Sequence, residues 1–173
     1  QPTGGLFDMI SQDDEENPLI DEDARILVVD PGFFSLDWVL ISNGQLQRGS
    51  SGTSHQASSV LLEQAGILIA EEYGSKPTVE TFEKAIRAGK KSLLVMGQRV
   101  DIEPYLKRAS DLLSANTATS ILTSLRVEKM SPDIVVLVGG GADFFRGAVQ
   151  TAFPKLKVIS PQNPVLSIAR GYW

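Results

Sequence analysis

The sequence has no cysteine and only one histidine, His55. Disulfides and thiolate metal centres are excluded, and a lone imidazole cannot make a zinc-binding cluster, so any metal must be held through oxygen, which points to Mg2+. There is no apolar run of the roughly eighteen residues that span a bilayer, and no signal-peptide pattern. A cytoplasmic location and no membrane partner are therefore expected. Basic runs are missing too. With 16 Lys and Arg against 21 Asp and Glu the net charge is -5, so direct contact with nucleic acid, which needs clustered cations, is not expected. What remains, 173 residues with 42% apolar and 21% charged, suits one globular domain or two small lobes. The chain opens with Gln rather than Met and is expected to be the later part of a longer protein.

The stretch Ile26-Leu27-Val28-Val29-Asp30-Pro31-Gly32-Phe33-Phe34-Ser35-Leu36-Asp37-Trp38-Val39-Leu40 organises the rest. Its unbroken apolar run suits a strand buried on both faces that delivers Asp30 to the strand's end, just before a bend at Pro31-Gly32. A second β-branched and aromatic run, Leu36 to Ile41, follows, and Asn43-Gly44 fits a two-residue type I′ turn into a third strand, Gln45 to Arg48. Taken alone, this pattern serves equally a buried hairpin whose aspartate caps a bend.

Around this core the chain reads as helices. Gln1 to Ile10 has turn chemistry leading into about two helical turns. Asp13-Asp14-Glu15-Glu16 and Asp21-Glu22-Asp23 read as a solvated linker. After a flexible Gly49 to Gly52, Thr53-Ser54-His55-Gln56 reads as a capping box opening a helix that Gly74 stops, with Val60, Leu61, Ala65, Leu68 and Ile69 on its apolar face. His55 would be an exposed residue of the first turn, without a nucleophile to serve. A shorter helix over Thr78 to Ala88, a strand over Ser92 to Met96, a turn at Gly97-Gln98-Arg99 and a long helix from Ile102 to before Ser131-Pro132 complete the middle. Lys90, Lys91, Arg99, Lys107 and Arg108 read as solvated surface.

A second glycine-centred motif closes the chain. Asp133-Ile134-Val135-Val136-Leu137-Val138 reads as a buried parallel strand, Gly139-Gly140-Gly141-Ala142 as a turn, and Phe144 to Phe153 as a helix. Glycines admit a close backbone approach, and a helix N-terminus favours negative charge, so the corner suits adenosine and phosphate. Any tight strand-to-helix turn would look the same. The contiguous glycines, with no acidic residue placed for a ribose, do not make the dinucleotide fingerprint.

DPGFFSLD is similar to the second phosphate loop of the actin and sugar kinase superfamily, and VLVGGGAD resembles the adenosine motif of actin-like ATPases, in the same order and with a helical insertion between. The closing Asn163 to Tyr172 looks like the helix that follows in that family. The chain most resembles the second, nucleotide-binding half of the plasmid-segregation ParM/StbA branch. The fold this implies is α/β, a ribonuclease H-like actin-type domain with a mixed sheet. Residues 1–24 would be a leading helix and acidic linker, 25–52 the phosphate-loop hairpin, 53–130 helices with the helical insertion, and 131–173 the adenosine motif and C-terminal helix. The resemblance implies ATP or GTP held by Asp30, Gly32, Phe33, Phe34, Ser35, Gly139, Gly140, Gly141 and Ala142, Mg2+ held through water by Asp30, and an attacking water oriented by Gln1. It further implies ATPase activity in the parent, self-association into filaments and a DNA-bound adaptor protein.

This sequence departs from the family at the loop. Pro31 removes an N–H, and Phe33 and Phe34 replace small and hydroxyl residues, which leaves Ser35 as the loop's only hydroxyl. Hydrolysis is therefore less secure than binding. Two alternatives follow: a non-hydrolysing actin-like scaffold, or half of a sugar- or acetate-kinase-like phosphotransferase.

Overall fold

The computed structural model describes residues 2–10, 21, 23–127 and 129–172. Gln1 and the run Asp13 to Glu16 lie outside the described residues. The centre is a five-stranded mixed sheet in the order β3-β2-β1-β6-β7. Strand β1 (Ile26–Pro31) is buried at every position, whereas β2 (Leu36–Ser42) alternates between full and partial burial. Antiparallel pairs join β1 to β2 and β2 to β3 (Gln45–Ser54), while β6 (Ile134–Leu137) lies parallel to β1, and β7 (Lys157–Ile159) parallel to β6. The Asn43-Gly44 turn has both φ angles positive, at 51° and 67°, as a type I′ hairpin requires.

Burial on both faces follows from a layer on each side. Leu27, Val29, Leu36, Trp38, Leu40, Val135 and Leu137 face one core, shared with α2 (Ser58–Tyr73), α4 (Glu103–Val127) and α5 (Ala142–Ala152). Ile26, Val28, Ile134, Val136 and Val138 face the other, under α1 (Pro2–Ile10) and α6 (Pro164–Arg170). Helix α3 (Val79–Arg87) packs beside α2, and a separate hairpin, β4 (Ser92–Val95) with β5 (Gln98–Asp101), sits between α3 and α4. No helix among the described residues is long and apolar enough to cross a membrane.

Several local expectations shift. Strand β3 continues to Ser54, so Gly49 to Gly52 is strand rather than flexible connection, with Gly52 to Ser54 paired to β2 and a register shift just before them, and Thr53-Ser54 cannot cap a helix. Helix α2 starts at Ser58 with Ala57 at its N-cap and no side-chain cap bond, leaving His55 exposed in the preceding loop. Leu61, Ala65, Leu68 and Ile69 form the buried face as expected, but Val60 is exposed and Leu62 is buried beside them. Gln98 and Arg99 belong to β5 rather than to a turn, and α5 begins two residues earlier than expected, at Ala142.

Helices α1 and α6 cross closely because glycines meet there. A side chain at Gly171 would collide with the Gly4 carbonyl, and one at Gly4 would stand 2.5 Å from the Ile168 carbonyl. Arg170 clamps this crossing by donating from Nε and Nη2 to the two Asp8 carboxylate oxygens, both at 2.8 Å. Those hydrogen bonds hold the buried Asp8 carboxyl below the usual carboxylate range, and Arg170 is correspondingly raised. A depressed carboxyl stabilises the fold above its unfolded pKa, and that stability disappears as pH falls through the folded value. Arg170→Met is therefore expected to lower the melting temperature at pH 7 and to speed amide exchange across residues 2–10, with the difference from the parent chain shrinking as pH falls below the ordinary carboxyl value of 3.8. Equal melting of the two proteins at pH 7 would show that the clamp contributes nothing.

Candidate functional site

The carboxyl ends of the adjacent parallel strands β1 and β6 bring the two glycine motifs together. Val29 pairs with Leu137, so Asp30 and Gly139 are neighbours at the place where open α/β sheets collect ligands. Gly139 has φ of 79°, and any side chain there would collide with Asp30 Oδ1. Only glycine lets the carboxylate lie against that backbone. The loops are tied directly: Gly141 N–H donates to the Pro31 carbonyl at 2.9 Å, and Gly139 N–H to the Pro164 carbonyl at 3.0 Å.

The loop after β1 is shaped from both sides. Gly32 N–H donates to the Ser35 carbonyl at 2.8 Å, which closes a tight turn. From outside, the first free amides of α2, on Ser58 and Ser59, donate to the carbonyls of Gly32 and Phe33. The carbonyls thus point toward α2, while among the described residues the N–H groups of Phe33, Phe34 and Gly140 meet no acceptor. Such a set of unpaired amides around a bend is an anion cradle. Ser35 does not add its hydroxyl to it, because Oγ donates to Asp37 Oδ2 at 2.7 Å.

Asp30 is only 4% exposed, and among the described residues no hydrogen bond reaches its side chain. Asp37 lies directly opposite it across the β1–β2 ladder, on the same face. Burial first, and the Asp37 charge second, push the Asp30 carboxyl up to about 6. A buried carboxylate with a like charge beside it and no donor is a group that a hydrated divalent cation would neutralise.

Beside this corner lies a cavity of about 720 Å3, reached by Gly32, Phe33, Phe34, Gly140 and Gly141 and walled by Ser58, Leu62, Glu83, Ile86, Arg87, Phe144 and Val165. Its size suits a nucleotide-sized ligand with an apolar ring end and a polar tail. Phe33 packs partly into the core, while Phe34, in edge contact with it at 4.8 Å, is 78% exposed. Of the residues singled out by sequence, Asp30, Gly32, Phe33, Phe34, Ser35, Gly139, Gly140, Gly141 and Ala142 converge here, with Asp30 and Gly139 just behind the cavity and Ala142 opening α5. Gln1 lies outside the described residues. Sequence reasoning missed the wall on α3, where Arg87 donates to Glu83 across one helical turn. The spacing of that pair marks an exposed helix face and carries no sign of a ligand.

The family model of archaeal actin homologues described as MreB-like, C-terminal, matches residues 28–151, from β1 into α5. No curated protein matches the sequence. Over 99% of its length the chain is similar to the structure of Ta0583, an archaeal actin homologue, in complex with ADP, with a TM-score of 0.79, 17% identity and 54% of that chain covered. Over 99% of its length it is also similar to a non-polymerisable quadruple mutant of pCBH ParM, with a TM-score of 0.76, 20% identity and 51% of that chain covered. A 15-stranded ParM filament from Clostridium botulinum gives a TM-score of 0.74 at 20% identity, over 99% of this chain and 50% of that one. The chain spans about half the length of these relatives. At such identities the likeness establishes an actin-type fold shared with ParM, and the matched model establishes the family: the chain belongs to the MreB-like archaeal actin homologues and matches their C-terminal part.

Proposed function

We propose that the chain is the nucleotide-binding half of an actin-like, filament-forming ATPase. The observation that carries this reading is the buried Asp30, without a hydrogen-bond donor among the described residues, set against Gly139 just behind a 720 Å3 cavity whose rim presents unpaired amides. The amides of Phe33, Phe34 and Gly140 would hold phosphate oxygens, Phe144 and Ile86 would face the base, and Asp30 would bind Mg2+ through its water shell. Bound Mg2+ supplies charge neutralisation for the phosphates, which is most of what phosphoryl transfer asks of a protein. Gln1 is the residue proposed to orient the attacking water. The ADP in the Ta0583 structure supports a nucleotide, and the ParM filament supports self-association. Plasmid segregation through a DNA-bound adaptor is the cellular role proposed for such filaments, with the ParM likeness as its support.

Titrating Mg-ADP into the isotopically labelled chain is expected to shift the amide resonances of Phe33, Phe34 and Gly140 and to leave that of His55 in place. Silence at all three up to millimolar ligand would sink the reading. The chain alone is expected to release no phosphate from Mg-ATP above a no-protein control, because phosphates in a site of this kind need donors from both sides. A non-hydrolysing scaffold is the second reading, favoured by the commitment of the Ser35 hydroxyl to Asp37. Filaments from the whole protein that form without phosphate release would select it.

A further inference from the structure

The β4–β5 hairpin differs from the rest of an acidic molecule. A groove of about 600 Å3 between α3 and this hairpin is lined by Lys84, Lys90, Lys91 and Arg99, and no carboxylate lines it. Lys84 is paired with Glu80, but among the described residues Lys90, Lys91 and Arg99 make no ion pair and stand exposed. Beside these cations the hairpin projects two aliphatic side chains: Leu94 is 74% exposed, opposite Arg99 across the ladder, and Met96 is 71% exposed at the turn. Met96 is also held at φ of 48°, left-handed backbone that a side chain such as Met adopts only at a cost, whereas the equivalent turn of the other hairpin uses Asn43 at 51°. An apolar residue is thus kept in a strained position where it buries little of its surface.

We infer that this groove and hairpin tip form a docking surface for an acidic peptide segment of another protein, one that carries aliphatic side chains between its carboxylates. Unpaired cations in a concave site complement carboxylates, and Leu94 and Met96 supply the contact area that ion pairs at a surface do not. The concavity favours a peptide over a flat lipid surface. The lack of any aromatic ring in the groove disfavours single-stranded nucleic acid, which stacks its bases. The free edges of a two-stranded sheet would let such a segment add backbone hydrogen bonds as well.

The test uses a fluorescein-labelled synthetic peptide of alternating glutamate pairs and leucines, with its glutamine counterpart, read by anisotropy against the full chain. The glutamate peptide is expected to bind, to weaken as salt is raised, and to lose about tenfold in affinity when Lys91→Glu and Arg99→Glu are combined. Met96→Asn separates docking from structure: the relieved turn should melt no lower than the parent while binding the peptide more weakly. The inference is overturned if the peptide does not bind, if the glutamine peptide binds equally, or if Met96→Asn binds as well as the parent. Tighter, Lys91- and Arg99-dependent capture of phosphatidylserine vesicles or of an oligothymidylate would overturn it in favour of a lipid or nucleic-acid surface.

Discussion

Replacing Gly139 by Val is expected to destabilise the chain by about 4 kcal/mol, and replacing its neighbour Gly140 by Val is expected to leave stability within about 0.5 kcal/mol of the parent while weakening nucleotide binding at least tenfold. The contrast arises because the two glycines serve different ends. At Gly139 the backbone is left-handed, with φ of 79°, and a branched side chain would also run into the Asp30 carboxylate. At Gly140 no atom lies within 4 Å of where a side chain would begin, and that space is the cavity itself. Gly141 is a third case, since a side chain there would stand 2.5 Å from Ser58 Oγ and 2.6 Å from the Pro31 carbonyl, so its replacement by Val should disturb the corner as well. Circular dichroism melts on the three variants, followed by Mg-ADP titration of those that fold, check the series. A Gly140→Val protein that melts like the parent and binds nucleotide equally well would reduce the glycine turn to a corner of the fold.

That series was only partly legible in the sequence. The run Ile26 to Asp30 and the run Ile134 to Val138 are buried on both faces and read as such, because continuous apolar residues have few other places to go. Three adjacent glycines announce a close approach, but which one touches Asp30, which touches Pro31 and which faces open space is a property of register between strands more than a hundred residues apart. Strand β4 was legible, but its partner β5 was not, for a different reason. The turn between them is Met96-Gly97, and Met at a left-handed position breaks the local rule by which Asn43-Gly44 is recognised. The end of helix α2 at Gly74 was legible, but its start was placed too early because Thr53-Ser54 satisfies a capping pattern while the ladder of β3 with β2 claims both residues. The cavity wall on α3 has no local pattern at all: Glu83 and Arg87 become part of a site only through the packing of α3 beside α2.

Asp30→Asn is expected to stabilise the ligand-free chain at pH 8 and to abolish the Mg2+ dependence of nucleotide binding, a gain and a loss from one atom. Unfolded, the carboxyl titrates near its ordinary value of 3.8, whereas burial and the facing Asp37 raise it to about 6 in the fold. Below about pH 4 the group is protonated in both states and costs nothing. As pH rises through the interval from 3.8 to about 6 the unfolded chain ionises first, so the folded state loses ground, and above the folded pKa the full difference of about 3 kcal/mol is present. Asparagine keeps the shape and carries no charge, so its variant should show a flat melting temperature across that interval where the parent declines. The same charge is what a hydrated Mg2+ would neutralise, and only in the parent should adding Mg2+ with nucleotide recover the stability lost above pH 6. Calorimetric melts from pH 4 to pH 8, with and without Mg-ADP, read both effects on the same two proteins. A parent chain whose melting temperature does not decline across that range relative to Asp30→Asn would mean that Asp30 is solvated or paired in solution, and its position against Gly139 would then be structural alone.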